Sequence, residues 1–199
     1  MENLKNAPFS QLVRARRSTR SFSPKPLEAA IVESVIEAGR YAPSAVNNQF
    51  THFIVITNPE SLAALRGIVT GVLANTPVRE GMPKPFVGMI ERAKLGPVDV
   101  THGAPVLVLT ASKKGYPNQV ADCACALQNM MLAAAAEGIG SCWINLFSMM
   151  RDVPPLRAFF VQNGLKEDEE ICGALILGHS DTIQTAPLPR TGNAVTYNQ

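Results

Sequence analysis

The 199-residue sequence predicts an α+β fold, or a mixed α/β one, and three observations carry that prediction. Four or five strand-like segments alternate irregularly with about five helical ones, unlike the strict alternation of a doubly wound sheet. Neither the GxGxxG fingerprint after a first strand nor the GxxxxGK[ST] phosphate loop occurs, so a bound phosphate has to be held by side chains. Finally, VADCACALQNMMLAAAAEGIG, residues 120–140, is apolar nearly all round. A helix of that kind belongs at the centre of the molecule or of a dimer.

The elements follow in chain order. A short helix begins near Ser10 and fades into an arginine cluster. Pro24 and Pro26 break the chain, and Pro26 suits the first position of the next helix. There Ile31, Val32, Val35 and Ile36 fall at helical spacing, and Gly39 and Pro43 end the run. FTHFIVIT, residues 50–57, reads as a strand. Asn58-Pro59 is a cap with proline at the first helical position, and the helix it opens runs to the Gly67–Gly71 region. Residues 75–99 hold four prolines and read as a mobile stretch with one helical turn around 86–93. APVLVLTAS, 104–112, is a buried strand, and the long helix follows it, stopped by Gly138 and Gly140. SCWINLF, 141–147, and ICGALILG, 171–178, read as two more strands, with a helix from Pro154-Pro155 to about Asn163 between them. EDEE, 167–170, reads as a solvated loop, and the polar tail 179–199 as extended. The whole chain, 1–199, reads as one domain.

Composition narrows the function. Hydrophobic residues are 46% and charged residues 17%, enough for a real core and fitting an oligomer that hides an apolar face. Net charge is only +2, which argues against a nucleic-acid binder. No apolar run approaches the roughly 18 residues of a membrane span. MENLKNAPFSQL lacks a signal-peptide pattern, so no membrane association and a cytoplasmic location are expected. Cys123, Cys125, Cys142 and Cys172 form no CxxC and are expected to be buried, inert thiols. Cys123 and Cys125 should point to nearly opposite faces of their helix. His52, His102 and His179 are scattered, and no metal site is expected.

The basic excess is local. Between residues 1 and 25, Lys5, Arg14, Arg16, Arg17, Arg20 and Lys25 face only Glu2, six bases to one acid, or +5. ARRSTRSF, 15–22, reads either as a phosphate clamp, with arginine forks and a hydroxyl at Ser18, or as a solvated basic helix end. APSAVNNQF, 42–50, reads as amides that can address a planar ring or as a polar turn. EGIGSCW, 137–143, reads as a glycine pair admitting something flat, or as a helix stop before a core strand. Arg190 in PLPR matters only if it joins the first cluster. No obvious acid, base or nucleophile emerges, and an enzyme without one relies on a cofactor.

Taken in order, RRSTRSF, APSAVNNQ, ALQNMMLAAAAEGIGSCWI and LGHSDTIQTAPLPR resemble the motifs of the nitroreductase family, FMN-dependent NAD(P)H oxidoreductases, over about residues 9–192. The resemblance implies a mainly antiparallel sheet flanked by helices and a homodimer with FMN in the interface. It implies that Arg16, Arg17 and Ser18, with Arg190, hold the phosphate, and that Arg20 sits on the N1 and O2 side of the flavin. Pro43, Ser44 and Asn47 would touch the ring from the other subunit. Backbone at Asn145 and Leu146 would face N5, and Ala45, Gln49, Trp143 and Ile144 count with the cofactor-binding residues. No catalytic side chain is implied. The flavin would pass hydride from NADPH or NADH to a small-molecule acceptor such as a nitroaromatic or quinone, in ping-pong fashion. The alternatives are a non-catalytic flavin-binding protein and a specialised relative: a dehalogenase, a flavin-consuming enzyme or a peptide-oxidising one. Three departures from the family pattern stand out: Phe50-Thr51 follow the PSxxNxQ match, Asn145-Leu146 follow SCWI, and residues 67–100 are short and proline-rich where larger relatives place substrate-covering helices, which implies a more open site.

Overall fold

The computed structural model describes residues 6–184 and 186–198. Four strands form one antiparallel sheet: β1 (His52–Ile56), β2 (Val106–Lys113), β3 (Gly140–Trp143) and β4 (Glu169–Gly178), in the order β1-β2-β4-β3. The two central strands are buried on both faces, which is why VLVLTA and ICGALILG read as continuous apolar runs rather than alternating ones. Between Thr110 and Ala111 the register against β4 shifts: Thr110 faces Gly173 while Ala111 faces Ile171. That bulge reverses the side-chain parity, so Ile171 joins Ala174 and Ile176 on one face.

Helices cover both faces. On one side α3 (Pro59–Ala74), α4 (Lys84–Leu95), α6 (Leu146–Met149) and α7 (Pro154–Gln162) pack their apolar residues onto Ile54, Leu107, Leu109 and Ile176. On the other, α2 (Ala29–Arg40) and α5 (Gln119–Ala136) pack Val35, Leu127, Met130 and Ala134 onto Val106, Val108, Leu175 and Leu177. The expected central helix is thus α5, seated on the sheet. Gly39 lets α2 approach it, because a Cβ there would stand 2.9 Å from the Met130 side chain. The short α1 (Phe9–Ala15) precedes the arginine cluster, as the sequence predicts. Among the described residues, no helix is long and apolar enough to cross a membrane.

Several expectations need correction. Helix α2 starts at Ala29 rather than at Pro26, because the preceding segment stays extended and Ser23 N–H donates to His179 O at 2.8 Å. Helix α3 continues through Gly67 and Gly71 to Ala74, carried by the buried stripe Leu62, Leu65, Val69 and Leu73. The stretch 75–99 contains a twelve-residue helix, α4: Pro83 caps it, Pro85 lies in its first turn where no donor is lost, and Pro97 follows its end. The strand expected over 141–147 stops at Trp143. Asn145 turns into α6, where the Ser148 hydroxyl donates to Asn145 O at 2.9 Å. EDEE is not a free loop: Glu169 opens β4, is 4% exposed and meets His52 Nδ1 at 2.8 Å. Three thiols are buried, but Cys125 is exposed, facing away from Cys123 as their spacing requires. A hydrogen bond with Cys123, and then burial, push the Cys172 thiol up, so it stays protonated.

Candidate functional site

The arginine cluster is fixed by backbone. After α1 the chain runs beside β3, where Ser18 and Ser141 form a parallel bridge and Thr19 N–H donates to Ser141 O at 2.9 Å. Close approach depends on Gly140, where a Cβ would stand 2.9 Å from Thr19 Cγ2. The flat object expected against the glycine turn is therefore the chain's own Thr19, which is 7% exposed. Gly138, at φ 71°, supplies the left-handed residue just past α5.

Three side chains then converge. Burial, then the neighbouring Arg17 and Arg190, hold the Arg16 guanidinium below its ordinary value, against an opposing influence from Cys142. Arg16 Nη1 is buried and has no hydrogen-bond partner among the described residues. A buried guanidinium donor left this way is costly without an anion. Arg17 is used differently: its Nη1 donates to Arg14 O at 2.8 Å and Arg16 O at 2.7 Å, and its Nη2 to Ala186 O. It thereby ties the C-terminal tail to the cluster.

Arg17, Ser18, Thr19, Arg20, Ser21, Thr182 and Gln184 line a hollow of about 380 Å³. Arg20 also lines a larger cavity of about 730 Å³ between α4, the 97–102 loop and the β3–α6 turn, together with Trp143, Ile144, Asn145 and Leu146. A third cavity, about 610 Å³, lies at the end of α2 and is lined by Pro43, Ser44, Asn47 and Gln49. Here a short turn, Ala45–Asn47, is built from left-handed backbone: Val46, Asn47 and Gln49 have φ of 53°, 55° and 53°. Such angles are strained for residues other than glycine, most of all for β-branched valine. Gln49 N–H donates to Ser44 Oγ at 3.0 Å, and Ala45 N–H to Asp122 Oδ1 at 3.2 Å.

Residues 13–179 match the nitroreductase family model. The chain belongs to the nitroreductase family. It is 28% identical over 208 residues to nitrobenzene nitroreductase of Ectopseudomonas oleovorans, with 88% of each chain covered. To 4-nitrobenzoate reductase of Pseudomonas putida it is 27% identical over 211 residues, covering 92% of this chain and 91% of that one. A Bacteroides fragilis nitroreductase crystallised with bound FMN superposes with a TM-score of 0.85 at 28% identity, covering 96% of this chain and 98% of that chain.

In this member of the family the sequence-nominated residues fall into two groups. Arg16, Arg17, Ser18, Arg20 and Arg190 gather beside β3, with Trp143, Ile144, Asn145 and Leu146 adjoining them. Pro43, Ser44, Ala45, Asn47 and Gln49 belong to the other cavity's loop, and within one chain the two groups do not share a cavity. Sequence reasoning missed Asp122 as the anchor of that loop, and Arg92, Asp99 and His102 as cavity lining. The signal for Asp122 was present: it is the one acid within α5, a largely apolar helix.

Proposed function

We propose that the chain is an FMN-dependent NAD(P)H oxidoreductase acting on small-molecule acceptors. The observation that carries this reading is the buried, unpartnered Arg16 Nη1 beside Arg17 and Arg190. A phosphate completes such a donor, and arginine forks match its oxygens. The residues present therefore fit the phosphate end of FMN. When bound, FMN supplies the redox chemistry, accepting hydride from NADPH or NADH and reducing an acceptor such as a nitroaromatic or quinone, the two substrates using the site in turn.

The chain's own residues bind and orient. Arg16, Ser18 and Arg190 hold the phosphate, and Arg17 holds the tail in place. Arg20, which lines both adjoining cavities, places a positive charge where a reduced ring is anionic. Asn145 and Leu146 form the turn beside it. The Ser44–Gln49 loop reaches the ring from a second copy of the chain, which makes the enzyme a homodimer. Exposed apolar side chains near α5 support that assembly: Phe9 is 71%, Tyr41 80%, Val46 93% and Val120 56% exposed. Residues 1–199 act as one FMN-binding domain whose extended tail returns Arg190 to the cluster.

Anaerobic absorbance spectra of the purified protein, before and after NADPH and then NADH, test the reading. A flavin spectrum that bleaches supports it and shows which nucleotide is preferred. A flavin that neither nucleotide bleaches refutes the oxidoreductase and leaves a flavin carrier. No flavin, even after soaking with FMN, refutes the cofactor.

A further inference from the structure

The larger cavity has an uneven lining. Phe86, Met89, Trp143 and Met149 give it flat apolar walls. Set among them are three cationic or potentially cationic side chains from three different segments: Arg20, Arg92 at the last turn of α4, and His102. Among the described residues, none of these side chains has a hydrogen bond or ion pair. The one acid in the lining, Asp99, is already used: its Oδ1 accepts from Thr101 N–H at 2.8 Å and Thr101 Oγ1 at 2.6 Å, its Oδ2 from Gly103 N–H at 2.8 Å. Those bonds fold the loop that sets His102 at φ 53°. Burial, then Arg20, with a smaller push from Arg92, holds His102 below its ordinary value against the pull of Asp99. The cavity therefore combines room for a flat ring with unanswered positive charge.

We propose that this cavity selects an electron acceptor carrying an anionic group, a carboxylated aromatic, and that Arg92 reads the charge. The proposal rests on the oxidoreductase reading for its word "acceptor", but its geometry does not require the flavin. The Arg20 charge is shared with the cofactor side, whereas Arg92 lines only the larger cavity among those described. A carboxylate beside Arg92 forms a charge-assisted pair in a partly apolar setting, and the neutral isostere does not.

Benzoate and benzamide, neither of them reducible here, are the probes. Each is titrated against the purified protein, following the fluorescence of Trp143, the only tryptophan, which lines the cavity. Benzoate is expected to bind about tenfold tighter than benzamide, the scale of one hydrogen bond to a charged group. Arg92→Ala, which removes no bond of the fold, should abolish that preference without changing benzamide binding, and Arg92→Lys should keep most of it. Equal affinities in the parent protein, or a preference that survives Arg92→Ala, would overturn the proposal. So would an Arg92→Ala variant that keeps its benzoate affinity but loses NADPH affinity relative to NADH, since the anion read would then be the donor's phosphate. A sample that takes up no flavin even after soaking with FMN refutes the oxidoreductase reading and leaves this titration readable.

Discussion

The Asp122 carboxylate joins α5 to the loop that carries Ser44: one oxygen accepts from Ala45 N–H at 3.2 Å, the other from Tyr116 Oη–H at 2.8 Å. Asp122 is 7% exposed, so the arrangement is built rather than incidental. It fixes the first residue of a turn whose next two residues sit at positive φ. Strain of this sort persists only where the surroundings over-determine the backbone. Asp122→Asn is expected to cost about 1–3 kcal/mol in urea unfolding, the scale of a lost hydrogen bond to a charged group. Amide exchange at Ala45 and Gln49 should accelerate in the same variant. Tyr116→Phe keeps the Ala45 bond and should cost only about 1 kcal/mol. Unaltered loop protection in Asp122→Asn would show that the carboxylate is not the anchor.

Arg16 predicts a trade between stability and cofactor retention. Its buried Nη1 lacks a partner among the described residues, so without a phosphate the group destabilises the fold. Arg16→Met should therefore stabilise the flavin-free protein, by about 1 kcal/mol or more, while weakening FMN binding by roughly tenfold to a hundredfold. Thermal unfolding of the apoprotein and FMN titration read the two arms separately. Arg17→Ala should behave otherwise, losing apoprotein stability because its donors serve Arg14 O, Arg16 O and Ala186 O. A destabilised Arg16→Met apoprotein would mean the guanidinium is already satisfied.

Gly140 predicts a coupling between β3 and the arginine segment. A methyl group at Gly140 would stand 2.9 Å from Thr19 Cγ2 and 3.1 Å from Thr19 Cβ. Thr19 is β-branched and buried, so it cannot swing aside, and its backbone must leave Ser141. Gly140→Ala should cost about 1–3 kcal/mol and loosen FMN with it. Thr19→Ala on that background should recover much of both losses, a non-additivity that a double-mutant cycle reads in unfolding midpoints. Additive losses would place the two residues out of contact.

How much of this the sequence shows depends on whether a signal is local. The strands β2 and β4 and the helix α5 are legible because long apolar runs define them without reference to neighbours. Helix α4 is legible only in part, as one turn around 86–93, because its prolines look like breakers, and only their positions at its two ends reveal them as boundaries. The end of β3 is hidden because the Ser148–Asn145 bond that turns the chain is a side-chain choice. Of the site, the arginine cluster is legible as charge, but the division of labour within it is not. Arg16 and Arg17 are adjacent and identical in type, yet Nη1 of the first has no partner among the described residues while the second is spent on carbonyls. Asp122, Arg92 and His102 become relevant only when distant segments meet.

Glu169 gives the protein a predictable acid limit. It opens β4 at 4% exposure, where His52 Nδ1 stands 2.8 Å from Oε2, Lys166 N–H donates to the same oxygen at 3.2 Å, and Lys166 Nζ lies 3.5 Å from Oε1. Burial pushes the carboxyl up, but the bonds from His52 and Lys166 outweigh it, and the net shift is below the ordinary value of 4.5. A carboxyl whose folded value is depressed binds its proton more tightly when unfolded. Its contribution is thus fully present above pH 4.5 and is lost as pH falls from there through the folded value. Glu169→Gln removes that dependence. At neutral pH it should cost about 1–3 kcal/mol, because His52 and the Lys166 amide lose a charged acceptor. Below the folded value the parent and the variant should converge, since both then carry a neutral group. Urea midpoints measured from pH 7 down to pH 3 check this: a gap between the two proteins that stays constant across that range would remove Glu169 from the acid response and return it to a packing role.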